Sequence, residues 1–175
     1  MTNYHTSLRT SARGFTLVET LVAIALLMIA IAAPFYSVQQ AIMASNAARD
    51  QLIASSLAQE GAEYIYYLRD SNYLGNASWL TGMDACLSGP APYGCTVDPS
   101  QNTLTSCVST GCTPLKLSAS NIYTQAGNYP LTRFTRTVQI QQVSATQVKV
   151  TVTVTWVSEH RTYSVNVVEN LYNWL

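Results

Sequence analysis

The sequence predicts an α+β protein in which a long N-terminal helix packs on a C-terminal antiparallel sheet of three to five strands. An almost uncharged apolar run begins at Phe15 and continues into residues with helical spacing. Four cysteines cluster near the middle of the chain, and the last third alternates apolar with polar residues. Only 10% of the 175 residues are charged, which agrees with a single anchored domain.

The apolar run is long enough to cross a membrane. Residues 15–35 contain four side chains that are not apolar, namely Thr16, Glu19, Thr20 and Pro34. At about 1.5 Å per residue, a helix of this length spans roughly 30 Å, the thickness of the hydrocarbon core. Arg9 and Arg13 precede the run, and no charge follows Glu19 until Arg49. The positive-inside rule therefore places the N-terminus in the cytoplasm and the rest of the chain outside.

The segment around this boundary has a recognisable pattern. Residues 13–23 read R-G-F-T-L-V-E-T-L-V-A, which resembles the prepilin-type signal of the type IV pilins and pseudopilins. The resemblance extends to about Phe35. It implies that residues 1–14 are a leader peptide, that a prepilin peptidase cuts after Gly14, and that the same enzyme N-methylates the new terminal residue, Phe15. It also implies that Glu19 is the residue used for assembly.

Glu19 has two interpretations in this position. An isolated carboxylate in a membrane helix costs roughly 2.5–3.5 kcal/mol. The helix dipole near the N-terminus recovers only about 0.3–1 kcal/mol. An ion pair with the amine of Phe15 in a neighbouring subunit would offset more of that cost, so pairing is the favoured hypothesis. Two alternatives for the whole segment stay open: an ordinary secretory signal cleaved after the apolar run, and an uncleaved single-span anchor.

The helical pattern continues beyond the span, over residues 36–73. Pro34 removes a backbone donor and predicts a kink or a locally melted segment. Gly61 is a second weak point, where the helix is expected to bend or end. In the cluster that follows, we expect Tyr64, Tyr67 and Leu68 to pack on the sheet and Tyr66 to lie at a subunit contact.

Residues 74–130 form a loop region that contains all four cysteines. An even number of cysteines in a Gly/Pro/Ser/Thr-rich stretch outside the membrane predicts two disulfides. Of the three possible connectivities, the locally closed pairs Cys86–Cys95 and Cys107–Cys112 are favoured. The spacing does not fit a zinc site, and no metal or other cofactor is expected. Asn76-Ala77-Ser78 is a glycosylation sequon whose use the sequence leaves undecided.

Residues 131–172 carry the predicted sheet. Val148, Val150, Val152, Val154 and Trp156 alternate with polar residues, which is typical of a strand with one covered face. Short links at 144–147 and 158–160 predict consecutive hairpins. The expected organisation is therefore a leader (1–14), a transmembrane and assembly helix (15–35) and an extracytoplasmic domain (36–175).

Catalytic patterns are absent from the sequence. His5 lies in the leader, and His160 lies in a predicted hairpin turn. We therefore expect a filament subunit, not an enzyme, with the prepilin peptidase, other pilin subunits, the membrane and the assembly platform of a pilus or secretion machinery as partners. The expected location is the cytoplasmic membrane, followed by an extracellular filament.

Two alternatives to a filament subunit remain. One is a minor or competence subunit that binds extracellular DNA or a surface, and the other is a single-span surface protein unrelated to filaments. Arg133 and Arg136 weaken the DNA hypothesis, because their odd spacing on a strand predicts that they point to opposite faces. The sequence does not separate a major from a minor subunit, or a pilus from a pseudopilus.

Overall fold

A computed structural model of the protein describes residues 14–87, 94–107 and 109–173. The chain forms two helices and seven strands in these residues. In order along the chain, they are α1 (Leu17–Leu74), α2 (Asp84–Leu87), β1 (Cys95–Asp98), β2 (Thr103–Ser106), β3 (Lys116–Leu117), β4 (Tyr123–Thr124), β5 (Phe134–Ser144), β6 (Gln147–Ser158) and β7 (Arg161–Tyr172).

The chain divides into two compact units, an N-terminal unit (Met1–Asn46) and a C-terminal unit (Ala47–Leu175). In the described part of the N-terminal unit, α1 is an apolar helix whose described side chains are all exposed. It is long and apolar enough to cross a membrane, with a mean hydropathy of 2.4 over its most apolar window. This part of α1 is the transmembrane helix that the composition predicts.

The C-terminal unit is built on a five-stranded antiparallel sheet with the order β2-β1-β5-β6-β7. β6 pairs with β7 along its whole length, from Gln147 opposite Tyr172 to Ser158 opposite Arg161. The two predicted hairpins are present, and the predicted α+β fold is confirmed. The main sheet extends beyond residues 131–172, since β1 and β2 come from the cysteine-containing region. β3 and β4 form a separate two-stranded sheet.

The core lies between one face of the sheet and the second half of α1. The alternating residues of β6 point into it, and Val148, Val152 and Val154 are fully buried. From the helix side, small and aliphatic residues fill the space between helix and sheet: Ala54, Leu57, Ala58, Ala62 and Ile65. The period-two pattern of the strand and the helical spacing of α1 therefore meet in one apolar layer.

A buried arginine ties α1 to the sheet. Arg136 on β5 is completely buried, and its guanidinium donates to the Leu57 carbonyl at 3.0 Å, to Glu60 Oε2 at 2.6 Å and to the Val97 carbonyl at 2.7 Å. Gly61 gives this side chain room, because a Cβ there would lie 3.0 Å from Val152 Cγ1 and 3.1 Å from Arg136 Cδ. The sequence predicted that the helix bends or ends at Gly61, but α1 continues past this residue to Leu74. Close packing explains the glycine better than helix termination does.

The cysteine-containing region is held by two disulfides and one buried carboxylate. The disulfides are Cys86–Cys95 and Cys107–Cys112, the pairing that short loops favour. Asp98 on β1 accepts hydrogen bonds from Ser100 Oγ and Thr124 Oγ1, both at 2.6 Å, and from the backbone N–H groups of Gln125 at 2.6 Å and Ala126 at 3.3 Å. The segment around β4 is therefore fastened to β1 of the main sheet.

Candidate processing and assembly site

A threonine begins α1 at the predicted processing site. Gly14, Phe15 and Thr16 are not helical, and the helix starts at Leu17. Thr16 Oγ1 accepts the backbone N–H of Glu19 at 3.2 Å, and the Thr16 carbonyl accepts the N–H of Thr20 at 3.1 Å. Thr16 is therefore the N-cap, with Glu19 three residues later in a T-x-x-E pattern. The predictions from sequence missed this cap, although its spacing is visible there.

Glu19 is the acidic residue of the first turn of α1, and it is exposed. Among the residues that the structure describes, no hydrogen bond or ion pair involves its carboxylate. Thr16 and Thr20 are its polar neighbours, and the apolar Leu17 and Leu21 are 77% and 59% exposed. Within the described residues, this carboxylate therefore has no charge partner at the start of a membrane-length apolar surface.

Close packing does not explain the glycine at position 14. Among the described residues, a Cβ there would meet nothing within 4 Å. Arg9 and Arg13, which flank the predicted site, lie outside the described residues.

Pro34 lies inside α1, which continues through it to Leu74. Because proline lacks an N–H, the carbonyl of Ala30 loses its usual acceptor role in the helical ladder. The predicted kink or melting at this position stays a prediction. The continuous helix is nevertheless locally weakened in the part whose side chains are exposed.

Arg133 and Arg136, two of the five basic residues between positions 115 and 175, form ion pairs within the chain. Arg133 Nη1 lies 2.8 Å from Asp50 Oδ2, and Arg136 Nη1 lies 2.6 Å from Glu60 Oε2. Both arginines therefore reach α1, and the expectation of opposite faces was wrong, because Arg133 precedes β5 and its backbone is not in the strand. With their charges paired to helix carboxylates, neither supplies an isolated phosphate-binding group.

The aromatic cluster differs in part from the expectation. Tyr64 is buried, but Tyr67 is 58% exposed. Tyr66 is half-buried, and its hydroxyl lies 3.5 Å from Glu169 Oε2. Burial raises the pKa of Tyr66, and the Glu169 charge adds to this effect. Of the three side chains expected to pack on the sheet, Tyr64 is buried in the core and Leu68 packs against it partly buried, whereas Tyr67 is exposed.

The described residues contain no group of three or more His, Cys, Asp and Glu side chains that could hold a metal ion. His160 occupies the turn between β6 and β7, as the sequence predicts, and is exposed. His5 lies outside the described residues. The candidate functional groups of the described part are therefore the first turn of α1 and the ion pairs of its second half.

Comparison with known protein families supports the meaning of the N-terminal segment. Residues 9–33 match the prokaryotic N-terminal methylation motif, the prepilin-type signature of type IV pilins and pseudopilins. Neither a curated protein nor a solved structure matches the chain. The described fold is α+β, with an exposed apolar helix long enough to cross a membrane. The likeness to the pilins and pseudopilins rests on residues 9–33, which carry the prepilin-type signature.

Proposed function

We propose that this protein is a structural subunit of a type IV pilus or of a type II secretion-like pseudopilus. In this proposal it enters the membrane as a precursor, is cut after Gly14 by the prepilin peptidase, and is N-methylated on Phe15. It then polymerises through the first part of α1, with the assembly platform of its machinery as a partner. The single observation that carries the proposal is the methylation motif at residues 9–33 on an exposed apolar helix.

The glycine at position 14 supports cleavage at this site. Since a Cβ at position 14 would meet no described atom within 4 Å, close packing does not explain the glycine, and we infer that the peptidase requires it. A residue without a side chain gives an enzyme at the membrane surface unhindered access to the following peptide bond. Cutting after Gly14 would leave Phe15 and the capping Thr16 as the first two residues of the mature chain, so the N-cap of α1 survives processing.

The carboxylate of Glu19, which has no partner in the part of the chain that the structure describes, supports the assembly step. Cleavage creates a positive amine on Phe15, four residues before Glu19. In a bundle of apolar helices, each charge would be expensive when alone. Pairing the amine of one subunit with Glu19 of another offsets much of that cost. The pairing also requires subunits to be staggered along the axis, and a staggered contact that does not close produces a filament.

Substitutions at Glu19 test this function. Glu19→Ala and Glu19→Gln should leave a cleaved, membrane-inserted and folded subunit that forms few or no filaments. Removing the carboxylate eases insertion by roughly 2.5–3.5 kcal/mol, so the membrane pool should persist. Glu19→Asp keeps the charge and should give an intermediate filament yield. Microscopy of sheared surface fractions measures the filament yield, and immunoblots of the membrane pool measure the amount of inserted subunit.

The glutamine variant is the decisive member of the series, because it preserves the shape of the side chain and removes only its charge. Normal filaments from Glu19→Gln would reject charge pairing as the assembly mechanism. An absence of filaments from the unsubstituted protein in its own cells would reject the filament function itself.

A further inference from the structure

The C-terminal unit has a surface groove on the second half of α1. The groove has a volume of about 530 Å³ and is lined by one face of the helix: Glu63, Tyr66, Tyr67, Asp70, Ser71 and Leu74. Tyr67 and Leu74 are 58% and 81% exposed. The groove therefore combines carboxylates with an open aromatic ring and an aliphatic side chain.

The charges in the groove are not equally available. Asp70 Oδ1 is paired with Arg69 Nη2 at 2.7 Å, and the Arg69 guanidinium lies over the ring of Tyr66 at 5.3 Å. Glu63 has no hydrogen bond or ion pair within the described part of the chain. The Tyr67 ring stacks on Tyr64 at a centroid distance of 6.1 Å and is exposed. A carboxylate next to an exposed aromatic ring is the surface that a guanidinium binds best.

A matching cation projects from the β6–β7 turn. Arg161 is exposed, and across residues 14–87, 94–107 and 109–173 its guanidinium has no hydrogen bond or ion pair. The turn residues before it, Glu159 and His160, both have positive φ, at 49° and 63°. Tight hairpin turns of this kind favour Asn-Gly. A left-handed conformation at two such residues is strained, and strain of this kind concentrates at functional sites.

The turn and the groove lie at opposite ends of the C-terminal unit. Arg133, which directly precedes β5, contacts Asp50 of α1. The next residue, Phe134, lies opposite Trp156 of β6, and Trp156 lies opposite Tyr163 of β7. The β6–β7 turn is therefore at the Asp50 end of α1. Glu63 follows Asp50 by 13 positions, which is about 20 Å along a helix. Arg161 of one copy thus cannot reach Glu63 of the same copy.

We propose that the β6–β7 turn of one subunit docks in the α1 groove of the next, with Arg161 paired to Glu63 and stacked on Tyr67. This inference rests on the proposed filament function and names one of its contacts. Two complementary surfaces at opposite ends of one unit make a head-to-tail contact that repeats without closing. Such a repeat keeps all copies pointing in one direction, as copies anchored in the same membrane must.

Cysteine pairs in the full-length protein test the contact directly. Treatment of the double variant Glu63→Cys/Arg161→Cys with a short bismaleimide cross-linker, in native membranes and in sheared filaments, should produce a ladder of covalent dimers, trimers and larger species. A cross-linker is needed because an arginine–glutamate ion pair holds its Cα atoms farther apart than the distance of about 4.4–6.8 Å that a disulfide allows. A reagent that spans only such a pair is shorter than the separation of about 20 Å within one chain, which excludes an internal link. The four natural cysteines are already paired. Glu63→Cys/Lys149→Cys is the matched control and should give no ladder, since Lys149 is also basic and exposed but lies outside the turn.

Absence of the ladder overturns the proposed contact, whether or not filaments form. Dimers from Arg161→Cys alone would indicate a symmetric contact and would also overturn it. The same holds if Arg161→Cys in unassembled, membrane-bound subunits is shielded from a membrane-impermeant thiol reagent, because the turn would then face lipid headgroups.

Charge reversal supplies a second readout. Arg161→Glu and Glu63→Arg should each lower the filament yield at least about tenfold, because like charges replace an ion pair at the contact. The double variant Arg161→Glu/Glu63→Arg should restore it, and Lys149→Glu should have little effect. If Arg161→Glu leaves filaments normal while Glu19→Gln abolishes them, only the docking contact is rejected and the filament function stands.

Discussion

The two units of this chain use similar apolar residues in opposite ways. In the N-terminal unit, Leu17, Ile29 and Phe35 are 77%, 70% and 68% exposed, whereas in the C-terminal unit Val148 and Ile65 are completely buried. The first set cannot be stable in water, because burying one large apolar side chain is worth about 1.5–3 kcal/mol. The C-terminal unit therefore has its own buried core, whereas the apolar helix of the N-terminal unit needs lipid or other subunits around it.

The largest expected effect on folding concerns the buried arginine of the C-terminal unit. Arg136→Ala should lower the free energy of unfolding by about 3–5 kcal/mol, because it leaves two buried carbonyls without their donor and opens a cavity in the core. Its ion-pair partner Glu60 is 41% exposed and stays in contact with water. Arg133→Ala is the matched comparison, since this arginine is 53% exposed and also pairs with α1. It should cost less, about 1–3 kcal/mol, because it leaves only the buried carboxylate of Asp50 without its partner. Urea unfolding of the detergent-solubilised protein, followed by tryptophan fluorescence, measures both.

Equal losses for the two arginines would contradict this view of the core. They would mean that the ion pairs act through their charge alone, and not through the carbonyl hydrogen bonds that only Arg136 makes.

A smaller effect is expected at the carboxylate that fastens the cysteine-containing region. Burial alone would raise the pKa of Asp98, but hydrogen bonds from Ser100, Thr124, Gln125 and Ala126 outweigh it and hold the pKa below its ordinary value. A depressed pKa contributes stability that is present above the unfolded-state value of about 3.9 and is lost as the pH falls through the folded-state value. The unit should therefore weaken only below about pH 4.

The variant Asp98→Asn isolates this contribution. It should cost about 1–3 kcal/mol at pH 7 because it removes a charged acceptor, and it should flatten the acid dependence of unfolding. Denaturation series at pH 7 and at pH 3 measure both effects. An unchanged acid limb in Asp98→Asn would show that another group controls the acid sensitivity.

The sequence predicted the parts of the structure that have the strongest local signals. The alternation from Val148 to Trp156 indicated the sheet. The length of the almost uncharged apolar run from Phe15 indicated the helix. β1 and β2 were missed. Each of these strands is only four residues long. β1 is buried along its whole length and β2 is mostly exposed, so neither shows an alternating pattern.

The details of the candidate sites were less accessible to sequence. The role of Gly61 depends on a side chain from β5, and the exposure of Tyr67 depends on where the sheet stops under α1. Both are tertiary facts with no local signal. The capping pattern of Thr16 and Glu19, by contrast, is local and could have been found from the spacing alone.

The most direct test of the pilin-like assignment is the intact mass of the protein purified from its native membrane. We predict a chain that begins at Phe15 and carries one additional methyl group, together with a full-length, membrane-bound precursor for Gly14→Val. That variant should keep its fold, since a Cβ at position 14 would meet no described atom within 4 Å. A mass that retains residues 1–14, or one that shows cleavage beyond Ala30, would contradict the assignment.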